Sequence, residues 1–362
     1  MGTILFSTWD GGGNTPPLLG IATELQDRGH RVRVLGNRAQ SERFAAAGLE
    51  FTGYPSAADF RSSVDARLRP LLANLCDRAK GRDVLAELAA NPADLVVVDT
   101  YLLGVMDTLR RAGRSYVVLE HSLDSSLRRD LSGPLGLLVR LLGFPARDLV
   151  DAGRPTLVPT LPELDPTSAD VVHTGPVVRG RPAQPTEPTV LVSLSTVRFA
   201  GLADTWKRVL AAVDGLPARV IATAGPALDA RDLHVPANVE MHPWLPHDEV
   251  LPHVSLVVGH GGHATTMAAL AHDVPLLVLP IDRKTDQPRI GRTIEAVGAG
   301  LALSRRSSPR RIREAIDVLL ADGPHREVAA RLGAKIRELD GARRAADLLE
   351  GLVRDSAGSV GT

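Results

Sequence analysis

The chain has 362 residues, enough for two domains of ordinary size, and 44% of them are hydrophobic, enough for packed cores. Its 42 Lys+Arg balance 42 Asp+Glu, which excludes the strong one-sign field of a nucleic-acid binder or of a protein held on an anionic membrane. The single cysteine, Cys76, excludes an internal disulfide and reads as a small buried hydrophobe, which fits a reducing cytoplasm; a monomer or homodimer is expected.

Met1–Phe6 reads as a first strand and not as a secretory signal, because no basic segment precedes an apolar run. Further on, no apolar stretch reaches the ~20 residues that span a bilayer. The pattern predicts a helix over 16–28, a strand over 31–35, an apolar strand over 94–99, a helix over 105–112 and a strand over 115–120. A near-continuous apolar run such as Asp94–Asp99 fits a strand covered on both faces, and the β-α-β alternation implies a parallel sheet. Residues 175–188 carry four prolines and read as a linker. The rhythm then resumes, with strands over 189–194, 219–223, 239–242, 256–259 and 276–279. Helices are expected over 263–271, 285–297 and 309–320, then one long amphipathic stretch over 326–353. The expected plan is an N-terminal domain (1–176), a linker (177–188), a C-terminal domain (189–340), and a helix with a polar tail (341–362) able to cross back to the first domain. Both domains read as Rossmann-like, doubly wound α/β units, whose ligands sit beyond the carboxyl ends of the strands, here in the cleft between the domains.

The most informative stretch is Gly259-His260-Gly261-Gly262-His263-Ala264-Thr265-Thr266, between a strand and a helix. Gly261 and Gly262 let backbone approach a ligand, the helix start offers free N–H groups, and His260, Thr265 and Thr266 add side-chain donors. That set suits a diphosphate, although a plain turn with threonine caps has the same residues. The Lys of a phosphate-binding loop of the Walker type is missing, and so is the G-x-G-x-x-G dinucleotide pattern. Upstream, Trp244 follows a strand, where an indole stacks on a nucleobase or serves as a core aromatic. Downstream, Asp286 and Gln287 open a helix, where they bind vicinal sugar hydroxyls or cap the helix.

From Trp244 through Gln287 the segment resembles the GT-B, family 1 glycosyltransferases that use nucleotide-activated sugars, closest to their bacterial natural-product branch. The resemblance rests on Trp244 with the following Leu-Pro, the His260-Gly-Gly motif, Thr265-Thr266, Val274-Pro275 and Asp286-Gln287. Val192–Thr196 and, more loosely, Pro17, Ala22, Leu25 and Arg28-Gly29-His30 extend it. It implies that Trp244 stacks on the base and the backbone of Leu245 reads it. His260, Gly261, Gly262, Thr265, Thr266 and Thr196 hold the diphosphate, and Asp286 and Gln287 face the sugar. It implies transfer with inversion from a thymidine- or uridine-diphosphate sugar to a small, hydrophobic aglycone, without metal or other cofactor; the nucleotide sugar is a co-substrate. Neither nucleic-acid binding nor stable membrane insertion is expected.

The first loop departs from the family pattern. Where the family carries a general-base His, this chain has Asn14, in Asp10-Gly11-Gly12-Gly13-Asn14. An amide takes no proton at neutral pH. Asn14 then orients the acceptor or caps the following helix, beside a glycine run that reads as wide and pliable. Asp10 and His121, with Glu120 and Asp124 nearby, are the candidate replacement bases. Elsewhere Ser195 stands for a usual Gly and Ile290 for a usual Asn. The acceptor wall is expected from 54–77 and 122–142 with Phe144, whose leucines face an aglycone or pack on the sheet. The alternatives are C- or N-glycosyl transfer, which needs no such base, a nucleotide-sugar epimerase, a lipid-linked sugar transferase, and a non-catalytic nucleotide-sugar-binding protein.

Overall fold

The computed structural model describes the chain except residues 63–67, 168, 227, 229–230, 232, 322 and 359–362. It forms two compact units: Met1–Val177 with Gly341–Thr362, and Val178–Asp340.

Among the described residues the first unit has seven strands: β1 (Thr3–Ser7), β2 (Arg31–Gly36), β3 (Glu50–Gly53), β4 (Leu95–Asp99), β5 (Val117–Leu119), β6 (Thr156–Val158) and β7 (Val172–His173). All pair in parallel in the order β3-β2-β1-β4-β5-β6-β7. Ile4, Leu5 and Phe6 are all fully buried. Alternation along the strand sends Ile4 and Phe6 to one face, with Leu18 and Ile21 of helix α1 (Thr15–Asp27), and Leu5 to the other, with Trp9, Val96 and Met106. The strand order reverses between β1 and β4, so the loops after these two strands meet at a topological switch point.

In chain order the helices after α1 in this unit are α2 (Ser41–Ala46), α3 (Leu68–Leu75), α4 (Arg78–Ala90), α5 (Leu103–Arg111), α6 (Asp124–Leu131), α7 (Pro134–Leu141) and α8 (Ala146–Ala152). The second unit holds α9 (Leu202–Val213), α10 (His247–Val250), α11 (His263–Ala271), α12 (Gln287–Val297), α13 (Pro309–Leu320) and α14 (Pro324–Leu339). Its strands are β8 (Thr189–Ser193), β9 (Arg219–Thr223), β10 (Val239–His242), β11 (Leu256–Gly259), β12 (Leu276–Val278) and β13 (Gly300–Ala302), parallel in the order β10-β9-β8-β11-β12-β13. Here the switch point lies between β8 and β11.

The closing amphipathic stretch is two helices, not one. It breaks at Asp340, whose φ is +44°, after α14, and α15 (Gly341–Gly358) follows. Gly341 sits against backbone: a Cβ there would lie 2.2 Å from the Gly175 carbonyl oxygen. Ala345, Ala346, Leu349 and Val353 of α15 are buried with the α1 side chains of the first unit. Arg28 pairs with Glu24 at 2.8 Å, Asp347 at 2.6 Å and Glu350 at 3.2 Å. The 175–188 segment has neither helix nor strand. It is not loose, however: His272 Nδ1 lies 2.8 Å from the Arg181 carbonyl, and the Ala183 N–H donates to the His272 carbonyl at 2.9 Å. No helix among the described residues is long and apolar enough to cross a membrane.

Candidate functional site

In the second unit the switch point is built by the turn after β11. Gly261 has φ +86°, and a Cβ on it would lie 2.9 Å from the Gln287 carbonyl and 2.9 Å from Val278 Cγ1. Glycine is therefore required, both by the left-handed backbone and by the close approach of α12. Gly262 caps α11 with no side-chain cap, and a Cβ there would meet the His260 ring at 2.7 Å. The imidazole thus lies over the mouth of the helix. Burial pushes the His260 pKa down to about 4, so it is neutral at physiological pH and offers one N–H donor. Its Nδ1 is buried without a partner among the described residues.

Thr265, half-buried on the first turn of α11, has a hydroxyl that makes no hydrogen bond among the described residues. Thr266 differs: it is buried, and its hydroxyl donates to the Gly262 carbonyl at 2.9 Å. Thr196 is exposed in the loop after β8, on the other side of the switch point. Ser195 beside it is buried, and its hydroxyl accepts from the Val197 N–H at 3.0 Å. Gln287 is buried and staples the loop after β12, its Oε1 accepting from the N–H groups of Ile281 (2.8 Å) and Asp282 (3.0 Å). Asp286 caps α12 by position, without a side-chain cap bond. Ile290 is a core residue, so the polar contact expected from an Asn there is replaced by packing.

Trp244 follows β10 and is 63% exposed, which removes it from the core and leaves its ring face open. Leu245 next to it makes no backbone hydrogen bond among the described residues. Beside them a cavity of about 480 Å³ opens at the carboxyl ends of β8, β9 and β10, lined by Arg198, Gly225, Leu228, Met241, His242 and Pro243.

At the switch point of the first unit, Asn14 is buried at the start of α1 but makes no side-chain cap bond. Its Nδ2 donates to Asp99 Oδ2 at 2.7 Å and to the Trp9 carbonyl at 2.8 Å, while its Oδ1 accepts from the Gly11 N–H at 3.1 Å. The glycine loop is therefore pinned rather than pliable. A Cβ on Gly11 would sit 2.8 Å from the Trp9 ring. Asp99, at the end of β4, also accepts from Trp9 Nε1 at 2.9 Å and the Tyr101 N–H at 3.2 Å. His121, after β5, places Nδ1 3.7 Å from Asp99 Oδ2 and packs its ring on Tyr101 at 5.3 Å. Asp10 turns to another loop, where its Oδ2 accepts from the Ser62 N–H at 3.1 Å; burial raises its pKa. Trp9, Asp99 and Tyr101 were not singled out from sequence. Asp99 ends a recognisable strand, and that position was its one available signal.

The C-terminal-domain family of erythromycin biosynthesis protein CIII-like proteins matches residues 207–338. A 4'-demethylrebeccamycin synthase of Lentzea aerocolonigenes is 28% identical over 97% of this chain and 99% of its own length. The crystal structure of CalG4, the calicheamicin glycosyltransferase, superposes with a TM-score of 0.77 at 27% identity, covering 98% of both chains. A kitacinnamycin glycosyltransferase structure shares the fold, with a TM-score of 0.80 at 24% identity over 97% of this chain and 99% of that one. The chain has the GT-B fold, and the proteins it is similar to are glycosyltransferases of natural-product biosynthesis.

Two further candidates in this glycosyltransferase are withdrawn from solvent. Glu120 is buried and its pKa is raised well above the usual carboxylate range, by burial first and then by Asp124 and Asp165. Asp124 is buried and holds Arg128 at 2.8 Å. Along α7 and the turn after it, Val139 and Phe144 pack into the core, Leu135 is partly buried, and Leu137, Leu138, Leu141 and Leu142 are exposed. In the 54–77 segment, residues 63–67 lie outside the described residues. Among the described residues no group of three or more His, Cys, Asp or Glu is arranged to hold a metal ion.

Proposed function

We propose that this glycosyltransferase moves a sugar, with inversion, from a thymidine- or uridine-diphosphate donor to a small hydrophobic natural-product acceptor. The observation that carries this is the turn after β11: a required glycine, a neutral His260 over the mouth of α11, and a free Thr265. Diphosphate oxygens meet the helix N–H groups, Thr265 and the loop of Thr196, while the nucleoside lies on Trp244 and in the cavity beside it. The acceptor oxygen attacks the anomeric carbon from the face opposite the diphosphate, and the C–O bond electrons leave with the nucleotide. Positive helix dipoles and the His260 N–H offset the charge of that leaving group. A neutral histidine donates a hydrogen bond there without carrying charge of its own. Asp286 and the Gln287 side-chain NH₂ face the sugar hydroxyls; the Gln287 carbonyl oxygen is occupied by the loop. Thymidine is the favoured base on the resemblance to the bacterial natural-product branch. Asn14 stands where the family's base would be, and its amide cannot fill that role.

The test incubates the full chain with TDP-glucose or UDP-glucose, with and without a panel of planar phenols, and reads products by mass spectrometry and anomeric NMR couplings. An α-linked donor is expected to give a β-glycoside. Retention of configuration, or conversion of the donor with no acceptor present, contradicts the proposal; the second outcome identifies an epimerase.

A further inference from the structure

We infer that Asp99 and His121 form the acid–base pair that takes the acceptor's proton, with Asn14 as the positioning residue that fixes the carboxylate. The inference rests on the transferase reading and supplies the base which that reading lacks. A carboxylate has about four lone-pair positions. Three donors already occupy Asp99: Trp9 Nε1 at 2.9 Å, the Tyr101 N–H at 3.2 Å and Asn14 Nδ2 at 2.7 Å. The nearest further nitrogen among the described contacts is His121 Nδ1, 3.7 Å from Oδ2. That nitrogen is buried and has no hydrogen-bond partner among the described residues. Burying a polar group without a partner is costly, and a small ring rotation toward Oδ2 supplies one. The Tyr101 ring, 5.3 Å away at 55°, backs the imidazole. The His121 side chain is 16% exposed, and its Nε2 has no partner among the described residues, so Nε2 is the nitrogen open to a ligand.

The chemistry balances without another reagent. Nε2 of neutral His121 accepts the acceptor's O–H or N–H proton as the acceptor bonds to the anomeric carbon and the nucleoside diphosphate departs with its electron pair. The imidazolium that forms donates through Nδ1–H to Asp99, and the proton later passes to solvent or to the released diphosphate. Asn14 fits the first loop to this arrangement: its NH₂ binds the carboxylate from the β1 side and its oxygen is tied to Gly11, so the carboxylate serves a histidine on the β5 side. Asp10 is excluded from the pair because its carboxylate is bound to the Ser62 loop.

The test uses the full-length, ¹⁵N-labelled protein and long-range ¹H–¹⁵N spectra, with the His121 signal assigned by its loss in His121→Gln. At about pH 8, where an ordinary histidine is neutral, wild-type His121 is expected in the Nδ1–H tautomer, with the lone pair on Nε2. Asp99→Asn, which puts an NH₂ within reach of Nδ1, is expected to populate the Nε2–H tautomer instead. Asn14→Ala, which frees Oδ2, is expected to keep the Nδ1–H tautomer and to move the Nδ1–H proton signal downfield, a response that a merely structural Asn14 does not produce. An Nε2–H tautomer in the wild type, or a tautomer indifferent to Asp99→Asn, overturns the pair. If Asp99→Asn does not fold, the wild-type tautomer alone decides. A calorimetric titration with thymidine diphosphate runs in parallel. Absence of binding refutes the transferase reading, whereas binding combined with the wrong tautomer refutes only the pair.

Discussion

Gly261 is the residue on which the turn after β11 depends most directly. At φ +86° with backbone and Val278 each 2.9 Å from any added Cβ, a side chain meets two separate penalties. Gly261→Ala is expected to cost about 1–3 kcal/mol in denaturant unfolding and to weaken nucleotide binding with it. An unchanged midpoint would show that the turn yields. The glycine, the histidine and the threonines were all legible in the sequence, because a strand, a glycine pair and a helix start are local features. How the two threonines divide was not: Thr266 spends its proton on Gly262, while Thr265 keeps its own. Nor was Asp99 legible as a site residue. Its contacts with Asn14 and His121 span 85 residues of chain in one case, and they exist only because strand order brings β1, β4 and β5 side by side.

Among the elements, β5 and α6 carry a buried polar cluster whose behaviour with pH is specified by its charges. Glu120 holds its proton because it is buried beside Asp124 and Asp165, with Arg128 the opposing influence. Its folded pKa is raised above its unfolded value of 4.5. The folded state therefore binds a proton that the unfolded chain releases, and stability falls as pH rises from about 5 through the raised pKa. Glu120→Gln, which has no proton to lose, is expected to flatten the alkaline side of the melting-temperature profile; a variant with the wild-type slope would place the sensitivity elsewhere. Sequence showed a strand end pointing toward ligand at this position, but not that helix α6 closes over it. Most strands and helices were readable because apolar runs, prolines and glycines mark them. Short strands such as β6, β7 and β13 escaped, being two or three residues long and held by their neighbours rather than by their own pattern.

For the whole molecule, the last helix belongs to the first unit. Ala345, Ala346, Leu349 and Val353 complete the core that covers Ile4 and Phe6, and Arg28 ties α1 to α15. Removing residues 341–358 exposes that apolar face. The truncated chain is expected to lose protease resistance first at α1 and β1; equal resistance with and without the helix would contradict the packing. The two sheets share one strand-order rule, and each places polar side chains at its own reversal point: Asn14 and Asp99 at one, His260 and Thr196 at the other. The turn after β11 was legible in the sequence, since glycine turns and helix starts use few residue types. The Asn14–Asp99–His121 cluster depends on long-range pairings that no short motif records.

The carboxyl edge of the second sheet is proposed to bind a nucleoside diphosphate. Calorimetric titration of thymidine diphosphate into the wild-type protein and into Trp244→Ala tests it most directly. Wild-type binding is expected, with Trp244→Ala losing about tenfold or more in affinity, since base stacking on an aromatic ring is worth about 1–3 kcal/mol. The melting temperature of the variant should not change, because the ring is 63% exposed. No binding by the wild type, or equal binding by both proteins, would contradict the account.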